Sequence, residues 1–126
     1  VQLVEQDRGG ALFVRRCAAD RVVVVDREFT ASFVLALDRV VETWPVASIA
    51  TLGAADAEAV LGLDPEVVLL GTGARQAFPP AAFMAAFLTR RIGIEPMDNA
   101  AAARTFNVLG AEGRRVVAAF ILPGGA

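Results

Sequence analysis

Apolar and polar positions alternate in short blocks along this chain, and the block pattern changes after Pro45. A polar turn signal, Gln6-Asp7-Arg8-Gly9-Gly10, precedes a predicted short strand over residues 11–17. Four successive valines, Val22 to Val25, lie between Arg21 and Asp26 and read as a strand covered on both faces. Asp26-Arg27-Glu28 is a turn signal. Beyond it Phe33, Leu35 and Leu37 alternate with Val34, Ala36 and Asp38, which predicts one strand over 29–37. A further strand over 40–44 stops at Pro45, which cannot donate to a ladder, and Trp44 reads as a core-edge aromatic.

Helical spacing then enters. A short helix over 54–61 is ended by Gly62, and Asp64-Pro65 turns the chain into a strand over 66–70. Gly71-Thr72-Gly73 follows directly. Pro79-Pro80 opens a helix reaching about Arg91, with Phe83, Met84, Phe87 and Leu88 as its apolar face and Gly93 as its left-handed cap. A strand over 94–97 leads to Asp98, a good N-cap for a helix over 99–109 that Gly110 ends. Ala111-Glu112-Gly113 turns into a last strand over 114–122. Strands joined through helices by short loops imply parallel pairing by crossover. The fold class expected is α/β with a mixed sheet, in one domain spanning residues 1–126. Its first half is β-rich, and its second half runs β-α-β-α-β.

Composition narrows the chemistry. The chain has 126 residues, 56% of them apolar, and a mean hydropathy of +0.54. One domain of that size buries roughly 65–70% of its unfolded surface, so disulfides or metals are not needed to hold it. No apolar run approaches the ~18 residues of a membrane span, so the domain reads as soluble; the localisation expected is the bacterial cytoplasm, with a place at the inner-membrane surface left open. It begins at Val1, which leaves an upstream targeting segment open. Net charge is −2, all 12 cations are arginine, and no basic stripe is interleaved with aromatics, so nucleic acid is not expected as a partner. With no histidine and one cysteine, Cys17, the usual zinc sites and the Ser-His-Asp and Cys-His arrangements lack their parts. No metal site and no cofactor is expected.

Two places carry candidate chemistry. Gly71-Thr72-Gly73 sits at the carboxyl end of a strand, where open α/β sheets collect ligands. It lacks the third glycine of a dinucleotide fingerprint, since Gln76 stands there, and the lysine of a P-loop. A structural turn and a small anion site both remain open. On the helix after Asp98, residues Ala100, Ala103, Arg104 and Asn107 share one stripe, while Ala102, Thr105, Phe106 and Leu109 suit packing. That stripe is either an alanine-rich face with Arg104 paired to an internal carboxylate, or a groove for a partner. Glu95 and Asp98 are a possible carboxylate pair of undetermined geometry, and Asp98 is explained as a helix cap.

Several pieces in order carry a resemblance. They are Val67-Val68-Leu69-Leu70-Gly71-Thr72-Gly73, Gly93-Ile94-Glu95-Pro96-Met97-Asp98, the run from Ala101 to Leu109, and Glu112-Gly113-Arg114. The chain resembles the family called domain of unknown function 498, whose mitochondrial members include the third assembly factor of respiratory complex I. It departs from that family's usual residues at Asn99 (Thr), Ala103 (Cys) and Phe106 (Tyr). The resemblance implies a three-layer fold with a mixed sheet, and a role in protein interaction rather than an established reaction. The leading expectation is a non-catalytic binding module for subunits of a respiratory membrane complex. Its binding candidates are Gly71, Thr72, Gly73, Asp98, Arg104 and Asn107, and no catalytic residue is assigned. The rivals are a small-molecule or anion-binding protein, conceivably an enzyme, built on Gly71-Thr72-Gly73 and Arg104, and a homo-oligomer joined through the alanine stripe.

Overall fold

The β-rich first third of the chain supplies all of one sheet and two strands of another. The computed structural model describes residues 10–124, so residues 6–9 of the first turn signal lie outside the described residues. Strands β1 (Val14–Ala18), β2 (Arg21–Val24) and β3 (Arg27–Phe29) form a small antiparallel sheet in that order. Strands β4 (Ala31–Leu35), β5 (Val40–Val41), β6 (Val67–Gly71), β7 (Gly93–Met97) and β8 (Val116–Pro123) form the central sheet, ordered β5-β4-β8-β6-β7. There β6 is parallel to β7 and β8, while β4 is antiparallel to β5 and β8, so the sheet is mixed as expected.

Period-2 alternation sends each strand's side chains to two opposite cores. On β8, Val116, Ala118, Phe120 and Leu122 enter one core, and Val117, Ala119 and Ile121 the other. The second of these cores is closed by α1 (Ala57–Leu61) and α2 (Ala81–Leu88), with Trp44, Phe83 and Phe87 buried in it. The other is closed by α3 (Asn99–Ala111), through Ala102, Ala103 and Phe106, and by the small sheet. Phe33 stacks between Phe29 and Phe120, at centroid distances of 4.2 and 5.2 Å, and so joins the two sheets. Three layers result. Each fully buried Val, Leu, Ile or Phe contributes about 1.5–3 kcal/mol, which makes the two cores the main source of stability.

Several boundaries differ from the sequence-based expectations, each for a tertiary reason. The strand expected over 29–37 is two strands in different sheets. Val25 and Asp26 make the hairpin turn, with Val25 at φ 54°, so Arg27 and Glu28 already pair with β2. After Thr30 the chain crosses to the central sheet, where Phe33 faces Phe120. Beside that crossing Ser32, buried at a bulge, donates to the Val46 carbonyl at 2.7 Å and accepts from the Leu122 amide at 2.9 Å. The strand expected over 40–44 keeps only Val40–Val41. Trp44 turns into the core and donates its indole N–H to the Asp56 carbonyl at 3.0 Å.

Helix α2 stops at Leu88, and the left-handed residue is Arg91 (φ 60°), not Gly93. The amides of Arg91 and Ile92 close on the Leu88 and Phe87 carbonyls, both at 3.0 Å, which places Ile92 against the core and lets Gly93 open β7. Leu88, expected on the buried face, is 55% exposed. Helix α3 continues past Gly110 to Ala111, and Gly110 inside it leaves room for Leu37, which packs where a Cβ would stand. Gly113, at φ 81°, makes the turn instead. The first strand begins at Val14 rather than residue 11, the last at Val116 rather than 114, and the helix over 54–61 starts as a 3₁₀ turn.

Candidate functional site

The register of β6 with β7 sets Gly71 opposite Met97, so both strands end together and their loops meet the start of α3. Asp98 caps that helix, its Oδ1 accepting from the Ala101 amide at 2.8 Å. Asn99, 3% exposed, accepts from the Gly73 amide at 3.1 Å and donates from Nδ2 to the Ile121 carbonyl at 3.0 Å. Its own amide donates to the Gly73 carbonyl at 2.8 Å. A Cβ on Gly71 would run into Asn99 Oδ1, so this glycine admits Asn99, while Gly73 (φ 104°) makes the turn. The Thr72 hydroxyl donates to the Arg75 carbonyl at 2.6 Å and accepts from the Ala77 amide at 3.2 Å. The structure therefore brings Gly71, Thr72, Gly73 and Asp98 together, and their polar groups are engaged within the protein. Glu95 stands exposed on β7.

Arg104 and Asn107 lie farther along α3, on a different hollow. Between α3 and the edge strand β1 runs an open furrow of about 290 Å³, lined by Val14, Arg15, Arg16, Cys17, Ala100, Ala103, Arg104 and Asn107. The expected stripe is divided here: Ala103 is buried in the core, Asn107 is half-buried, and Ala100 and Arg104 are exposed. Asn107 acts as a substitute strand neighbour. Its Oδ1 accepts from the Val14 amide and its Nδ2 donates to the Val14 carbonyl, both at 2.8 Å. The Arg104 side chain forms no ion pair or hydrogen bond among the described residues, so the internal carboxylate partner considered for it is not found there. A second hollow of about 220 Å³, lined by Ala18, Gly73, Asp98 and Asn99 among others, shares Cys17 and Ala100 with the furrow and extends it towards the loop.

Three lining residues had no role in the sequence reading. Arg15 and Arg16 are neighbours on a strand, and plain alternation would point them to opposite faces. A bulge between Val14 and Arg16 shifts the register, and both side chains are exposed and line the furrow. Cys17, half-buried beside them, has its thiol pKa raised by burial and then by the Asp98 carboxylate, against the opposing pull of the Arg104 guanidinium. No sequence signal marks the bulge, because the partner strand creates it. At the opposite end of the parallel strands lies a hollow of about 330 Å³ that includes Asp38, Asp64 and Arg115. There Arg115 and Asp64 face each other at 3.8 Å, so its chemistry is partly neutralised from within.

A three-layer α/β domain with a mixed sheet and an arginine-lined furrow is the class these features define. The chain belongs to the family described as Protein of unknown function (DUF498/DUF598), whose model matches residues 14–121. It is similar to a Xanthomonas campestris protein solved by NMR, at 46% identity over 98% of this chain and 94% of that one, with a TM-score of 0.83. A Bordetella parapertussis protein solved by crystallography is 36% identical over 89% of this chain and 96% of that one, with a TM-score of 0.83. A Bordetella pertussis protein, described as a Mth938-like domain, is 31% identical over 90% of this chain and 87% of that one, with a TM-score of 0.77. No curated protein matches the chain.

Proposed function

We propose that this protein is a non-catalytic protein-binding module, a single domain that helps assemble a complex I-like respiratory membrane complex from the cytoplasmic side. The observation that carries this reading is Arg104, exposed on the furrow wall without an ion pair among the described residues. A guanidinium left unengaged beside a small-residue floor favours a partner's polar group over an internal structural role. The resemblance to a family with a mitochondrial complex I assembly factor among its members supports an interaction role, and the absence of histidine leaves the common general base out of the chain. Among the described residues no helix is long and apolar enough to cross a membrane, so contact with such a complex is peripheral in this account.

Affinity capture from gently solubilised native cells, read by mass spectrometry, tests it. The wild type is expected to retain respiratory-complex subunits and Arg104→Glu to lose them, with unfolding free energies within about 0.5 kcal/mol of each other. Capture unchanged by the substitution removes Arg104 from the interface. The rival small-molecule reading, on Gly71-Thr72-Gly73 and Arg104, draws support from the hollow beside Gly73. It predicts a bound metabolite in native mass spectra that disappears in Thr72→Trp. Self-association through α3 would appear as a concentration-dependent mass in light scattering.

A further inference from the structure

We infer that the furrow between α3 and β1 receives an extended acidic peptide segment of a partner protein, its carboxylates held by Arg15, Arg16 and Arg104. This rests on the protein-binding reading above and adds the chemistry of the bound segment. Charge complementarity is the first argument. The chain carries a net charge of −2, yet three arginines converge on this one concavity. Arg21, Arg27, Arg114 and Arg115 are each paired with a carboxylate. Arg15, Arg16, Arg39, Arg75, Arg90, Arg91 and Arg104 have no such pairing among the described residues, and of these Arg15, Arg16 and Arg104 line the furrow. Forked guanidinium groups match carboxylates in bidentate geometry, and three along a groove select for a row of them.

Shape is the second argument. The furrow and its extension run beside α3 from Asp98 to Asn107, about 14 Å at the helical rise per residue. That length holds roughly four residues of extended chain. Small side chains form much of the lining (Ala18, Ala100, Ala103), and β1 is the outermost strand of its sheet, with α3 rather than another strand on that side. Such a trough suits an extended backbone, with side chains alternating towards and away from it. Asp98 at the loop end repels an acid there, so the acidic positions belong over the arginine end.

Fluorescence anisotropy with the full protein and a labelled short peptide of alternating Glu and Ala tests this, with the Gln-for-Glu peptide and inorganic phosphate as the other arms. The Glu peptide is expected to bind, the Gln peptide not, and added salt to weaken binding as screening shortens. The double variant Arg15→Glu/Arg16→Glu and the single Arg104→Glu should each weaken binding by about tenfold or more. Should a Glu variant fail to fold by circular dichroism, the matching Gln variant carries the same expectation with a smaller loss. Equal binding of the Gln peptide, indifference to the arginine changes, or phosphate binding with the peptide excluded overturns the inference. Loss of native partner capture in Arg104→Glu, without acidic-peptide binding, overturns this inference and leaves the binding-module reading intact. Acidic-peptide binding with no respiratory partner captured upholds this inference and removes the respiratory assignment alone.

Discussion

The two ends of the trough beside α3 use polar residues in opposite ways. At the loop end Thr72, Gly73, Asp98 and Asn99 find partners within the fold, Gly73 and Asn99 in each other and the rest in nearby backbone groups, at 2.6–3.2 Å. At the other end Arg15, Arg16 and Arg104 stand exposed, and no ion pair among the described residues engages them. The first arrangement is the signature of architecture, since a buried polar group must find its partner within the fold. The second leaves strong donors in water, where releasing them to a ligand costs the fold little. A glycine loop at a strand's carboxyl end invites a ligand reading, and here Asn99 fills that role from inside the protein.

The largest effect expected from this contrast is at Asn99. Removing its side chain in Asn99→Ala leaves the Gly73 amide and the Ile121 carbonyl without that partner, and should lower the unfolding free energy by about 2–4 kcal/mol in urea titration. A loss below that range would show that water replaces the amide readily and that the loop end is more open than described. Asn107→Ala comes next. It severs two 2.8 Å bonds to Val14, and a loss of about 1–3 kcal/mol is expected. Faster hydrogen exchange at Val14 should accompany it, because the amide then has no side-chain acceptor.

Substitutions at the arginine end sharpen the contrast by their small cost. Arg15→Gln/Arg16→Gln should stay within about 0.5 kcal/mol of the wild type in the same titration. A larger loss would mean that these side chains hold β1 in place. The smallest effect is electrostatic and uses Cys17 as a reporter. Arg104 favours the thiolate and Asp98 opposes it. Arg104→Glu should therefore shift the pH midpoint of Cys17 alkylation upward, and Asp98→Asn, which retains a capping side chain, should shift it downward. Absence of both shifts would contradict the placement of β1 against α3.

Local features of the sequence were legible where local physics decides. Asp98 as a cap, the apolar run before Gly71 and the position of Arg104 follow from capping and from 2- and 3.6-residue periods. What stayed hidden depends on distant partners. Asn107 meets Val14 across 93 positions of chain, and no periodicity in α3 announces that bond. Arg15 and Arg16 converge only because pairing with β2 produces a bulge. Arg91 takes the left-handed position, although Gly93 is the better residue for it, because Ile92 is drawn towards the core. The strand over 29–37 divides because Phe29 and Phe33 serve different sheets while stacking on each other. The part Asn99 plays at the loop end is hidden for the same reason, since its bonds to Gly73 and Ile121 reach residues 26 and 22 positions away.

The most direct test is an NMR titration of the uniformly ¹⁵N-labelled protein with the alternating Glu-Ala peptide, following every backbone amide. The account predicts shifts concentrated at Arg15, Arg16, Cys17, Ala100, Ala103 and Arg104, with Thr72 to Arg75 little changed. Shifts concentrated at Thr72, Gly73 and Asn99 with the arginine end silent would contradict it, and would make the loop end the binding site.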